Sequence, residues 1–272
     1  MLHWLKNILV FLLVLLLAAE VALRITSYEE DSRIYYYGVF PVALPPTREI
    51  WEERFEELEK IEEQKAHYAT YDSLLGWSYH ANYTSKDSLY RFNEYGMRAH
   101  PHSLPDCREV QDECLHILLS GNSYMMSAEV EGEESIAYFL EKELWDRGIA
   151  CHVYNGAAGN YSLDQAYLQW KYQGRQFDPD IVVLGLNPRH FASNASIFPY
   201  SNYPETNIYY TKPRAVLEGD SLRWVNLPTL PPEKVLDEMV LGYERSDLAQ
   251  YEYQQKLPKL REKPIYSYFL SG

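Results

Sequence analysis

The sequence is poor in cysteine, poor in positive charge and lacking in the glycine spacings that cradle phosphates. Three cysteines in 272 residues make neither a disulfide framework nor a metal site of recognisable spacing. Cys107 and Cys114 flank a polar loop, and Cys151 opens a later apolar run. In an oxidising compartment a Cys107–Cys114 bridge is one reading, and free thiols are the other. The formal net charge of -14 speaks against a nucleic-acid partner, because phosphate binding needs a basic face. It also speaks against a polybasic membrane-binding surface. Neither G-x-G-x-x-G nor G-x-x-x-x-G-K-[ST] occurs at the glycine turns, so a nucleotide-binding domain has little support. There are no internal repeats and no low-complexity tract beyond tyrosine clusters. No metal and no cofactor is expected.

What is abundant is tyrosine, 25 residues. A tyrosine offers a large flat face and a hydroxyl, which suits stacking on sugar rings and serves equally in cores and interfaces. The N-terminus is the other marked feature. Lys6 precedes an uninterrupted apolar run from Ile8 to Ala19. As a helix that run is about 18 Å, short for a bilayer core of roughly 30 Å. It is either the hydrophobic region of a cleaved signal peptide or the centre of a longer anchor within residues 1–25. Ala18-Ala19-Glu20-Val21-Ala22 is only a loose match to a cleavage site, which favours the anchor. Lys6 then puts the N-terminus inside. The expectation is a single-pass protein of the inner membrane with its bulk periplasmic or extracellular; a secreted protein is the alternative.

Residues 26–113 read as spacer and cover. Tyr28 to Pro46 is aromatic, with Pro41, Pro45 and Pro46 breaking any helix. Thr47 is a candidate N-cap for a helix from Arg48 to Gln64, with Phe55, Leu58 and Ile61 as a narrow apolar stripe between charged faces. Further on, Leu75 to Tyr79 and Tyr90 to Asn93 are expected to pair as short strands.

The expected catalytic or binding domain spans residues 114–272. Leu115 to Leu119 is a short apolar run ending in the small-residue turn Ser120-Gly121-Asn122-Ser123. A helical segment follows, with Ile136, Phe139, Leu140 and Leu144 on one face. His152-Val153-Tyr154 leads into Asn155-Gly156-Ala157-Ala158-Gly159, and Ile181 to Leu184 leads into Gly185-Leu186-Asn187. Ser162-Leu163-Asp164-Gln165 matches a capping box and starts a helix running to about Gln173. Alternating strands and helices predict an α/β fold with a parallel sheet, right-handed crossovers and helices on both faces. Later, Gly219-Asp220 marks a hairpin, Glu233 to Leu260 reads as mostly helical, and Ile265 to Leu270 is a last apolar run.

In open α/β sheets ligands bind beyond the carboxyl ends of the strands. Three strand ends carry Ser123, Gly159 and Asn187. In this order the three turns resemble the SGNH (GDSL-type) hydrolases, whose blocks read G-D-S, then N-x-G-x-x-G or similar, then G-x-N-D. The resemblance covers roughly Leu115 to Asn187. Upstream, Leu75-Gly76-Trp77 and Asn93-Glu94-Tyr95-Gly96-Met97-Arg98 look like the segments that precede the catalytic domain in membrane-anchored bacterial members. The resemblance implies a three-layer α/β/α sandwich and Ser123 as nucleophile. The Ser123 N–H, the Gly159 N–H and the Asn187 side chain would form the oxyanion hole. The implied chemistry is ester hydrolysis or acyl transfer, with acyl groups of a cell-surface glycan as the expected substrate.

Three departures qualify this expectation. G-D-S is Gly121-Asn122-Ser123 here: the shape is kept and the charge is lost. N-D is Asn187-Pro188, which keeps the Asn. The D-x-x-H block that carries the base in the family is absent, and His190 is the last histidine and only a weak candidate base. The chain is thus expected to be a C-terminally incomplete, weakly active hydrolase. The alternative is a non-catalytic surface protein that uses the same fold to hold a glycan or a protein partner.

Overall fold

The computed structural model describes residues 2–26, 28–31, 34–37, 40–43, 48–63, 67–100, 114–199, 208–241 and 246–252. Two compact units meet in sequence between Arg54 and Phe55. That boundary falls inside the stretch expected to act as spacer and cover, so residues 67–100 belong to the same unit as the α/β core.

The first unit begins with α1 (Leu2–Thr26), whose apolar side chains from Leu9 to Leu17 are all exposed. Among the described residues, no helix is long and apolar enough to cross a membrane. In the tyrosine- and proline-rich segment that follows, the described residues are extended. They form the antiparallel meander β1 (Tyr28–Asp31), β2 (Ile34–Tyr37) and β3 (Phe40–Ala43), in that order. Helix α2 is Arg48–Glu63; its expected end residues, Thr47 and Gln64, lie outside the described residues.

From Phe55 onward α2 belongs to the second unit. Phe55 and Leu58 are buried there, with Phe55 edge-on to Tyr209 at 5.2 Å. Next come β4 (Ala69–Asp72) and β5 (Gly76–Tyr79), an antiparallel hairpin. The expected pairing of Leu75–Tyr79 with Tyr90–Asn93 does not form. The reason is local: the Asp72 carboxylate accepts the N–H groups of Leu74 and Leu75 and closes a tight turn that folds β5 back on β4. Arg91 and Phe92 instead make single bridges with Thr84 and Arg98.

The α/β core is β6 (Leu115–Ser120), α3 (Ser123–Met126), α4 (Ile136–Asp146), β7 (Cys151–Asn155), α5 (Leu163–Tyr172) and β8 (Ile181–Leu184). The three strands are parallel in the order β7-β6-β8, in register Ile117↔Val153 and Ile117↔Ile181. The expected α/β fold with a parallel sheet is therefore present. Successive side chains point to opposite faces. Ile117, Leu119 and Val153 pack with Ala137, Leu140 and Leu144 of α4. Leu118 and Tyr154 pack with Phe177, Trp170 and Met97.

Two helix starts follow directly from sequence. Ser135 caps α4 by accepting the Tyr138 N–H. Ser162 and Gln165 form the capping box of α5. The expected buried face of α4 is shifted, however. Leu140 and Leu144 do face the sheet, but Ile136 and Phe139 are exposed, and Ala137 and Glu141 are buried in their place. Glu141 wins a core position because its carboxylate accepts the Val153 N–H at 2.7 Å and faces His100 at 3.3 Å.

Beyond the sheet lie α6 (Arg189–Asn194), the hairpin β9 (Arg214–Glu218) and β10 (Ser221–Val225), and α7 (Pro232–Leu241). The hairpin turns at Gly219-Asp220 as expected, with Gly219 at φ +60°. Ile265–Leu270 lies outside the described residues.

Candidate functional site

The end of β6 is held between its two neighbours. Gly185 N–H donates to Ser120 O at 2.9 Å, and Ala158 N–H donates to Gly121 O at 3.1 Å. These two bonds bring the turns after β6, β7 and β8 together around Gly121. Gly121 has φ +148°, and a Cβ there would stand 3.0 Å from Gly185 O and 3.1 Å from Met125 Cβ. Glycine is required on both counts. Gly185 is crowded from the other side, since a Cβ there would meet Met125 Cε at 2.7 Å.

Ser123 is the first residue of α3 and is half-buried. Asn122 caps this short helix: it is in extended conformation and its side-chain oxygen accepts the Tyr124 N–H at 3.2 Å. The Asn in place of an Asp thus keeps the turn-making hydrogen bond. Among the described residues, no side chain hydrogen-bonds to the Ser123 hydroxyl. Asn155, at the end of β7, locks the neighbouring turn to α3: Nδ2 donates to Met125 O at 3.1 Å, and Oδ1 accepts the Ala157 N–H at 3.3 Å.

Asn187 and Asn122 line one cavity of about 530 Å³, together with Tyr124, Met125, Ile136, Leu186 and Pro188. The first and third turns therefore share an opening whose walls are largely apolar. Gly159, in the second turn, is held by residues of β5. Its N–H donates to the Tyr79 hydroxyl at 2.5 Å, and its carbonyl accepts Trp77 Nε1–H at 3.1 Å. Tyr161 and Gln165 tie the same loop to the carbonyls of Trp77 and Leu75. The second turn is thus clamped to β5 on both sides.

His190 is fully buried, at 0% exposure. Its Nδ1 lies 3.1 Å from the Asn187 nitrogen and 3.3 Å from the Asn187 carbonyl oxygen, so the ring is held by the backbone of its own turn, and its buried Nε2 has no hydrogen-bond partner among the described residues. Burial lowers its pKa below the ordinary 6.5. The residue stabilises the turn that carries Asn187, and no hydrogen bond joins it to Ser123.

Sequence reading missed Trp77, Tyr79 and Asn155 as parts of this site. Asn155 stood next to a recognised glycine turn. The two aromatic residues belong to a hairpin some 80 positions upstream of Gly159, and no local pattern connects them to it.

Cys114, immediately before β6, is disulfide-bonded; Cys107 lies outside the described residues. Cys151 is free and buried, and burial pushes its thiol up to about 11. Among the described residues, no group of three or more His, Cys, Asp or Glu side chains is placed to hold a metal ion. The chain matches no protein-family model and no curated protein.

Proposed function

We propose that the chain is a membrane-anchored, extracytoplasmic ester hydrolase of the SGNH type, a three-layer α/β/α sandwich with Ser123 as nucleophile. The observation that carries this reading is the meeting of three strand-end turns around Gly121, bearing Ser123, Gly159 and Asn187. In the proposed reaction Ser123 Oγ gives its proton to water as it bonds to the ester carbonyl carbon, and the carbonyl electron pair moves onto oxygen. The Ser123 N–H and the Asn187 amide stabilise that charge. Collapse expels the alkoxide, which takes a proton back from water, and leaves an acyl-Ser123, which water or a sugar hydroxyl then cleaves. The largely apolar cavity beside Asn187 suits the acyl part. Acyl groups of a cell-surface glycan remain the proposed substrate.

Two features support the cellular placement. A disulfide at Cys114 fits an oxidising compartment. Helix α1, 25 residues long, exposes apolar side chains all round, and such a surface calls for burial in protein or lipid. Lys6 before the apolar run assigns the N-terminus to the inside.

One observation favours a second reading. No histidine hydrogen-bonds to the Ser123 hydroxyl among the described residues, and His190 is turned to its own loop. A non-catalytic protein holding a glycan or a partner would have no need of a base. The two readings separate on exposure of the full chain to excess p-nitrophenyl acetate. Attack by Ser123 releases p-nitrophenolate, sends the serine proton to buffer and leaves acetyl-Ser123. Peptide mass spectrometry is expected to find that adduct in the wild type and in His190→Ala, and not in Ser123→Ala. Absence of an adduct on Ser123 in the wild type would support the binding protein.

A further inference from the structure

An oxyanion donor must present its hydrogen where the developing O⁻ will sit, at about 2.7–3.1 Å. Seen from Gly159, that place is taken: the Tyr79 hydroxyl oxygen accepts the Gly159 N–H at 2.5 Å. The occupant is not a mobile group. Tyr79 is 6% exposed, lies on β5 and packs at 4.4 Å on Phe92 and at 5.2 Å on Tyr68. Its partner is fixed too, because Trp77 from the same strand holds the Gly159 carbonyl. Moving Tyr79 aside would break this clamp and open the aromatic core behind it.

A tyrosine hydroxyl has one proton to give as well as lone pairs to receive. Tyr79 receives from Gly159. Among the described residues nothing accepts the Tyr79 proton in return. A buried hydroxyl donor without an acceptor is costly unless some oxygen completes it. The turn it faces adjoins the nucleophile: Ala158, the residue before Gly159, donates to Gly121, two residues before Ser123.

We infer that Tyr79 is a catalytic hydrogen-bond donor of this site, and that its hydroxyl, not the Gly159 N–H, faces the substrate's carbonyl oxygen. The inference rests on Ser123 being the nucleophile. Gly159 keeps a supporting role. Its N–H polarises the phenol, and a hydroxyl that accepts a hydrogen bond donates a stronger one. The proton stays on Tyr79 throughout, because burial raises the phenol's pKa above its ordinary value of 10.0. Only a hydrogen bond to the oxyanion forms, and no proton is transferred. The sequence segment carrying Trp77 and Tyr79 thereby becomes part of the active site.

Phenylboronic acid provides the test, since boron adds a serine oxygen to become tetrahedral and anionic, as the reacting carbon does. Binding is measured on the full chain by calorimetry, for the wild type, Ser123→Ala, Tyr79→Phe and a chain with 3,5-difluorotyrosine at position 79. Ser123→Ala is expected to abolish binding. Tyr79→Phe is expected to weaken it about 100-fold, the scale of one lost oxyanion donor. The difluorophenol, a stronger donor of similar size, is expected to bind more tightly than the wild type. A merely structural tyrosine would not produce that gain, and the fluorinated chain answers the question even where Tyr79→Phe fails to fold. Binding lost in Ser123→Ala but unchanged by both substitutions at Tyr79 overturns the inference and spares the nucleophile. Wild-type binding that is absent, or equal in Ser123→Ala, removes the nucleophile and the inference with it.

Discussion

β6 and β8 run side by side in one parallel sheet, and both are short apolar runs that end in a glycine turn. Their environments are opposite. Leu118 and Leu119 of β6 are 0% and 1% exposed, whereas the four residues of β8 are 36% to 46% exposed. Parallel strands normally carry apolar residues on both faces because both faces are covered. β6 has its cover: α4 on one side, and Phe177, Trp170 and Met97 on the other. Ile181, Val182, Val183 and Leu184 have the composition of a central strand at the edge of the sheet that the described residues form. An apolar run therefore identifies a strand, while its neighbours decide how much that strand contributes to stability.

This contrast makes quantitative predictions. The largest effect belongs to β6: Leu118→Ala removes a fully buried side chain and is expected to cost about 2–5 kcal/mol in urea unfolding. A cost under about 1 kcal/mol would show that the face packed on Phe177 is loose.

Glu141→Gln tests the other face, where α4 meets β7. It is expected to cost about 1–3 kcal/mol, because a buried charge-assisted acceptor of the Val153 N–H is weakened. This effect depends on pH. Burial pushes the Glu141 carboxyl up, but the hydrogen bond and charge of His100, the Val153 N–H and His152 outweigh burial and hold its pKa below the ordinary 4.5. A depressed folded-state pKa means the contribution is complete above about 4.5 and is lost as pH falls through the folded value. Wild type and Glu141→Gln are thus expected to converge in stability below that value. Parallel pH profiles for the two proteins would contradict the assignment.

A smaller loss, about 0.5–2 kcal/mol, is expected for Ser162→Ala, which removes the capping box that starts α5. Thermal unfolding of that variant and of Ser162→Thr, which retains the hydroxyl, checks whether the cap accounts for the loss. The smallest effect belongs to β8. Val182→Ala is expected to change stability by about 0.5 kcal/mol or less, as for an exposed position. A loss comparable to that of Leu118→Ala would mean that β8 is covered in solution.

Much of this architecture was legible in the residues. The three strands, the capping box at Ser162, the hairpin at Gly219-Asp220 and the turn carrying Ser123 depend on residues a few positions apart. The turn that pairs β5 with β4 is just as local, set by Asp72 and the two amides it accepts, but Tyr90–Asn93 competes with β4 as a partner on composition alone. The face of α4 was only half legible. A 3.6-residue period marks a broad stripe, and the sheet chose Ala137 and Glu141 over Ile136 and Phe139.

The sequence by itself determined where strands end and helices begin, because caps, turns and apolar runs act through neighbouring backbone groups. It also determined that Ser123, Gly159 and Asn187 stand at strand ends. Only the tertiary structure decided which groups those residues meet. Gly159 is joined to Tyr79 across 80 positions, Asn187 is held by a fully buried His190, and β6 is covered while β8 is not. Hydrogen bonds and burial between distant segments depend on three-dimensional packing, and no periodicity along the chain encodes them.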